Sequence, residues 1–145
     1  MAELIREILI DATPATVFGF LSDAEKWAQW EGTELEIDAR PGGIYRVVVG
    51  QDEWKSRGEF VEVVPNEKVV YTFGWEDEGN PIRPGSTTVE MTLQPDGDKT
   101  LLRVVHRGLP DESFEDHGRG WDHYLARLAV VAAGGDPGPD PGPGG

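Results

Sequence analysis

Cysteine is absent from this 145-residue chain, so disulfides, zinc–thiolate sites and cysteine nucleophiles are all excluded. Positive charge is scarce: 13 Lys and Arg stand against 27 Asp and Glu, for a formal net charge of −14. Such an acidic surface repels phosphate backbones and anionic headgroups, which sets nucleic acid and membrane aside as partners. Long hydrophobic runs are missing too, and none approaches the ~20 residues needed to cross a bilayer. The stretch from Met1 to Glu7 is charged and has no apolar signal core, so the expected compartment is the cytoplasm. Histidine occurs only as His106, His117 and His123. His117 and His123 are six residues apart on one expected helix and point to different faces; His106 and His117 could meet, but no third ligand is evident. No metal or other cofactor is therefore expected. None of Ser22, Ser56, Ser86 and Ser113 sits in a Gly-x-Ser-x-Gly setting, which argues against a nucleophilic hydrolase.

What remains is a chain of globular composition, 38% hydrophobic and 28% charged, long enough for one domain with a real core. No internal repeat is present. From Gly134 the sequence runs Gly-Gly-Asp-Pro-Gly-Pro-Asp-Pro-Gly-Pro-Gly-Gly, which buries no apolar area and lacks backbone donors at its prolines. The expected organisation is a folded domain over 1–133 and a disordered tail over 134–145.

Leu4 to Asp11 reads as a strand. Thr13-Pro14 then opens a short helix with Val17, Phe18 and Leu21 on one face, and Ser22-Asp23 opens a second carrying Trp27. Strands are expected at Ile44–Val49, Trp54–Val64, Val69–Trp75, Thr87–Gln94 and Thr100–Arg107, separated by Gly-, Asn-, Asp- and Pro-rich turns. Short strands joined by tight turns make an antiparallel meander. The last element is a helix from about Asp111 to Ala133, with Phe114, His117, Trp121, Tyr124, Leu125, Leu128 and Val131 recurring at helical spacing. Gly118 and Gly120 interrupt it, which implies a bend or a close approach to the backbone.

Alternation assigns the faces. Val69, Tyr71, Phe73 and Trp75 share one side, as do Val89, Met91 and Leu93; both sets point inward. Arg103 and Arg107 mark the outer side of the last strand, with Leu101 and Val105, so Leu102, Val104 and His106 point in. Arg46 outward puts Tyr45, Val47 and Val49 inward. The strand from Trp54 loses its phase between Phe60 and Val63, which a β-bulge near Phe60 repairs. The inner face thus gathers aromatic rings with polar tips, covered by a helix bearing His117, Trp121 and Tyr124. An apolar cavity with a few polar anchors is what small-molecule sites look like.

The segments Thr13-Pro14-Ala15-Thr16-Val17-Phe18, Ser22 to Trp30, Asp38 to Arg46, Gly58 to Pro65, Val69 to Phe73, Thr100 to Leu102, His106 to Leu109 and Gly120-Trp121 occur in this order. Together they resemble the START-like (SRPBCC) superfamily, and within it the activator of heat-shock protein 90 ATPase homologue family, over about Glu3 to Ala133. The resemblance implies an α+β helix-grip (Bet v 1-like) fold, a curved antiparallel sheet wrapped around a long C-terminal helix. It also implies a cavity between helix and sheet that relatives use for lipids, hormones and polyketides. The named activators carry an additional N-terminal domain that engages the chaperone, so chaperone interaction is not carried over.

The expected function is binding of an apolar or aromatic small molecule by a monomer or weak dimer. The expected contacts are Trp27, Trp30, Tyr45, Phe60, Tyr71, Phe73, Trp75, Met91, His106, His117, Trp121 and Tyr124. One alternative is a polyketide cyclase- or aromatase-like enzyme using His106 or His117 as acid and base. Another is a partner-binding module of stress or chaperone pathways, which needs an exposed apolar patch.

Overall fold

Thr13 and Pro14 set the first helix as the sequence suggests. The computed structural model describes residues 3–50 and 52–140. Strand β1 (Leu4–Ile10) leads into α1 (Pro14–Phe20) and α2 (Ala24–Trp27). The Thr13 hydroxyl accepts from the Thr16 amide, and Pro14 fills the first turn, where a missing N–H is harmless. Ser22 closes α1 by donating to the Phe18 carbonyl at 2.7 Å, and Asp23 occupies the cap position of α2 without a side-chain bond. Then follow β2 (Glu34–Ile37), β3 (Ile44–Val49), β4 (Trp54–Val64), β5 (Lys68–Trp75), β6 (Thr87–Asp96) and β7 (Lys99–Arg107). A 3₁₀ turn at Asp111–Ser113 delivers the chain into α3 (Phe114–Ala132).

All strands join one seven-stranded antiparallel sheet in the order β1-β7-β6-β5-β4-β3-β2. This is the expected helix-grip architecture. Strand β2 has no counterpart in the sequence reading. It is four residues long and lies at the sheet edge, and two of its residues are glutamates. Its signal is the alternation of Leu35 and Ile37 with Glu34 and Glu36, acidic side chains of the kind that protect an edge. The bulge in β4 falls where the phase argument puts it: Phe60 pairs Tyr71 and Glu62 pairs Val70, leaving Val61 as the extra, exposed residue.

The core lies between the concave face of the sheet and α1, α2 and α3. Trp27 and Trp30 are fully buried and stack at 5.2 Å. Burying a side chain of that size contributes roughly 1.5–3 kcal/mol. Val105 keeps its outward place, with Arg103 and Arg107, yet it is buried there. It stands between Ile5 and Glu90 in the ladder, under the ion pair of Glu90 with Arg107 at 3.0 Å. Long charged side chains cover apolar surface with their stems.

Residues 134–140, part of the expected tail, lie against the domain. The amides of Gly134 and Gly135 bond back to Val131 and Val130. Arg127 of α3 then donates to the carbonyls of Pro137, Gly138 and Pro139, and through Nε to the Trp30 carbonyl at 3.1 Å. His123 meets Asp140 at 2.6 Å. A Pro/Gly segment has few donors but keeps every carbonyl, so one guanidinium can organise it. Residues 141–145 lie outside the described residues.

Candidate functional site

Tyr45 on β3, Ser56 on β4, Phe73 and Trp75 on β5, and His106 on β7 point to the concave face, where α3 crosses above them with His117, Gly120, Trp121 and Tyr124. Between them lies a cavity of ≈390 Å³. Trp54 stands at its rim, 45% exposed, next to Asn80, Asp116 and Arg119. Glu31 and the Val49–Gly50 corner complete the wall. A volume of that order suits a small organic ligand.

Seven of the twelve expected contacts line this space: Tyr45, Phe73, Trp75, His106, His117, Trp121 and Tyr124. The other five do not. Trp27, Trp30, Phe60, Tyr71 and Met91 are fully or almost fully buried in solid core. The inward face of a sheet is longer than the cavity it frames. Tyr71 illustrates this, stacking on Tyr45 at 4.2 Å and meeting Phe60 edge-on at 5.7 Å, so its ring is covered on the side a guest would use.

The two histidines are fixed as hydrogen-bonding wall elements. The Trp121 indole N–H donates to His106 Nδ1 at 3.2 Å, which assigns the ring proton to Nε2. Nε2–H then donates to Thr87 Oγ1 at 2.9 Å, and the Thr87 hydroxyl donates onward to the Phe73 carbonyl at 2.7 Å. Burial, aided by neighbouring His117, pushes the His106 pKa down to about 3. His117 carries the opposite tautomer. Its Nδ1–H donates to the Ser113 carbonyl at 3.0 Å, and its Nε2 accepts from the Trp75 indole N–H at 3.2 Å. Burial lowers its pKa as well. The two imidazoles sit edge to face at 5.8 Å, with Phe73 against both.

Tyr45 is satisfied too. Ser56 donates to the Val47 carbonyl at 2.9 Å, so the Tyr45 hydroxyl, 3.1 Å from Ser56 Oγ, is the donor of that pair. Tyr124 is the exception: among the described residues its buried hydroxyl has no partner within 3.5 Å, although the Asp140 carboxylate acts on it as a nearby acceptor. Desolvation raises its pKa, with Glu31 and Asp140 adding to the effect. Glu31 is half-buried, accepts the Trp27 indole N–H at 2.9 Å, and has its pKa raised to about 7, chiefly by burial. Burial raises the pKa values of Tyr45 and Tyr71, and the Glu31 charge adds to that shift.

Glu31, Ser56, Thr87 and Trp54 are absent from the contacts expected from sequence. For Glu31 the signal was present: it lies four residues after Trp27 and just past the aromatic pair, one helical turn from an indole donor. Among the described residues, no group of three His, Asp or Glu side chains is placed to hold a metal, and no helix is long and apolar enough to cross a membrane.

The glycines of α3 behave differently from each other. A Cβ on Gly118 would stand 2.6 Å from Arg6 Nη2, so this is a close approach of β1 to the helix. Nothing lies within 4 Å of the Cβ position of Gly120, which opens onto the cavity.

Comparison with known proteins supports the architecture. An AHSA1-like protein from Rhizobium etli, solved by solution NMR, is 45% identical, with 97% of this chain and 87% of that one covered and a TM-score of 0.75. A crystal structure from Chromobacterium violaceum is 28% identical, with 95% and 98% covered and a TM-score of 0.78. DynU16, from the dynemicin biosynthetic locus, shares the fold at 22% identity and a TM-score of 0.80; 96% of this chain aligns with 50% of that one. No curated protein sequence matches. The family model described as activator of Hsp90 ATPase homolog 1-like protein matches residues 11–133. By that match the chain belongs to the activator of Hsp90 ATPase homolog 1-like family.

Proposed function

We propose that the protein binds an apolar or aromatic small molecule in the space between the sheet and α3, and holds it without chemical change. The observation that carries this reading is the wall itself: a ≈390 Å³ cavity whose rings include two histidines with both nitrogens already bonded. A general base needs a nitrogen free to take a proton near neutral pH. A ring held neutral down to a pKa of about 3 and occupied on both sides is a poor candidate. Aromatic walls of this kind gain energy from burying a guest's apolar area.

A cyclase-like reading keeps one point of support. DynU16, from a biosynthetic locus, shares the fold. In that reading Glu31, with a pKa near 7, is a better proton carrier than either histidine.

The test uses N-phenyl-1-naphthylamine, a neutral apolar fluorophore, followed by fluorescence and by two-dimensional NMR of the indole N–H groups. Binding is expected to shift the Trp54, Trp75 and Trp121 indole signals and to leave Trp27 and Trp30 unmoved. Gly120→Phe, which projects a ring into the cavity, is expected to weaken binding by about tenfold or more. Uniform shifts of all five tryptophans, or undiminished binding to Gly120→Phe, count against the reading.

A further inference from the structure

The wall has one polar vacancy. Among the buried side-chain polar atoms of the described residues, the Tyr124 hydroxyl alone has no partner within 3.5 Å; it lines the cavity, and the acceptor nearest to acting on it is the Asp140 carboxylate. A buried hydroxyl without a partner has given up water and gained nothing in its place, so a ligand acceptor placed there restores a lost hydrogen bond. Glu31 lines the same cavity, close enough for its charge to act on Tyr124, and also lines a second space of ≈180 Å³ beside Asp140 and Arg127. Positive charge is committed elsewhere. Arg119, the sole Lys or Arg on the lining among the described residues, is paired with Glu115 and Asp116. Arg127 is spent on the carbonyls of Trp30, Pro137, Gly138 and Pro139. Both cavity histidines are neutral by their hydrogen-bond partners.

We propose that Glu31 and Tyr124 form the anchor that selects the guest's polar end, accepting a neutral group that both donates and accepts a hydrogen bond and rejecting a carboxylate. The inference rests on the binding role proposed above and adds the chemical class of the ligand. The Tyr124 O–H donates to the guest's carbonyl or hydroxyl oxygen, and the Glu31 carboxylate accepts from its N–H or O–H. A carboxylate offers no proton to Glu31 and meets its negative charge with no uncommitted cation to offset it. In a low-dielectric cavity that repulsion is not screened away.

The experiment compares 2-naphthamide with 2-naphthoate, whose heads have the same shape and differ in charge and donor capacity, at pH 8 by isothermal calorimetry. The wild-type protein is expected to bind the amide about tenfold or more tightly than the carboxylate. Glu31→Gln is expected to close that gap to about threefold or less, by gain of naphthoate binding. Tyr124→Phe is expected to weaken the amide by about three- to tenfold and to leave naphthoate unchanged. The inference is overturned if the wild-type protein binds both compounds equally, a result independent of whether any variant folds, or if the gap survives Glu31→Gln. It is also overturned, with the cavity reading intact, if N-phenyl-1-naphthylamine binds and neither naphthalene compound does. If none of the three binds, the binding role itself fails and the anchor falls with it.

Discussion

At the scale of single residues, His106 and Glu31 pull stability in opposite directions along the pH axis. The His106 ring is neutral in the fold down to about pH 3, whereas an unfolded histidine takes its proton near 6.5. Between those values the unfolded chain binds the extra proton, so this contribution is whole above 6.5 and drains away as pH falls. Replacing His106 with Ala strands the Trp121 N–H and Thr87 and leaves a hole. The expected cost at pH 7 is about 2–4 kcal/mol in urea unfolding. That difference should shrink as pH is lowered from 6.5 toward 4; a cost below about 0.5 kcal/mol at pH 7 would show that the ring is not part of the core. Glu31 runs the other way. Its folded pKa of about 7 lies above the ordinary 4.5, so its contribution is complete below 4.5 and lost as pH rises through 7. Glu31→Gln is therefore expected to stabilise the fold at pH 8, on the order of 1–2 kcal/mol after allowance for residual solvent, and to change little at pH 4.5. Equal effects at both pH values would contradict the burial argument.

At the scale of elements, α3 offers a contrast within one helix. Gly120→Ala meets no atom and gains helix propensity, so a stabilisation approaching ~1 kcal/mol is expected. Gly118→Ala has the same propensity gain but displaces the Arg6 guanidinium, which pairs with Asp122 at 2.7 Å. The two effects nearly cancel, and unfolding midpoints of the two variants should differ accordingly. Periodicity made most of the elements legible from sequence. The strands of the meander alternate cleanly, and the phase slip after Phe60 announced the bulge. The edge strand β2 stayed hidden because its alternation lasts only four residues, too short to stand out from a loop. The site was half legible. Alternation tells which side chains point inward, and so it found Tyr45, Phe73, Trp75 and His106. It cannot tell where packing stops and empty space begins, and so it also collected Phe60, Tyr71 and Met91. Hydrogen-bond occupancy is less visible still: nothing in one dimension distinguishes satisfied His106 from unsatisfied Tyr124.

At the scale of the whole molecule, charge dominates. A net charge of −14 on a domain this size works against compaction by self-repulsion. The melting temperature is expected to rise when sodium chloride is increased from about 20 to about 200 mM, over which the Debye length shortens from roughly 20 to 7 Å. A flat or falling response in a calorimetric scan would mean that local ion pairs, such as Arg46 with Glu76 at 2.7 Å, outweigh the global surplus.

Arg127 acts as a rivet through three layers of chain. One planar head clasps the end of the Trp27–Trp30 turn and the returning Pro/Gly strap, while its own stem belongs to the gripped helix. Cutting that rivet would loosen the middle of the strap, while His123 still holds Asp140 beside the small chamber behind Glu31. The segment that ends the described residues thereby stands behind the cavity wall at Glu31, so a change in this strap reaches the cavity from its rear.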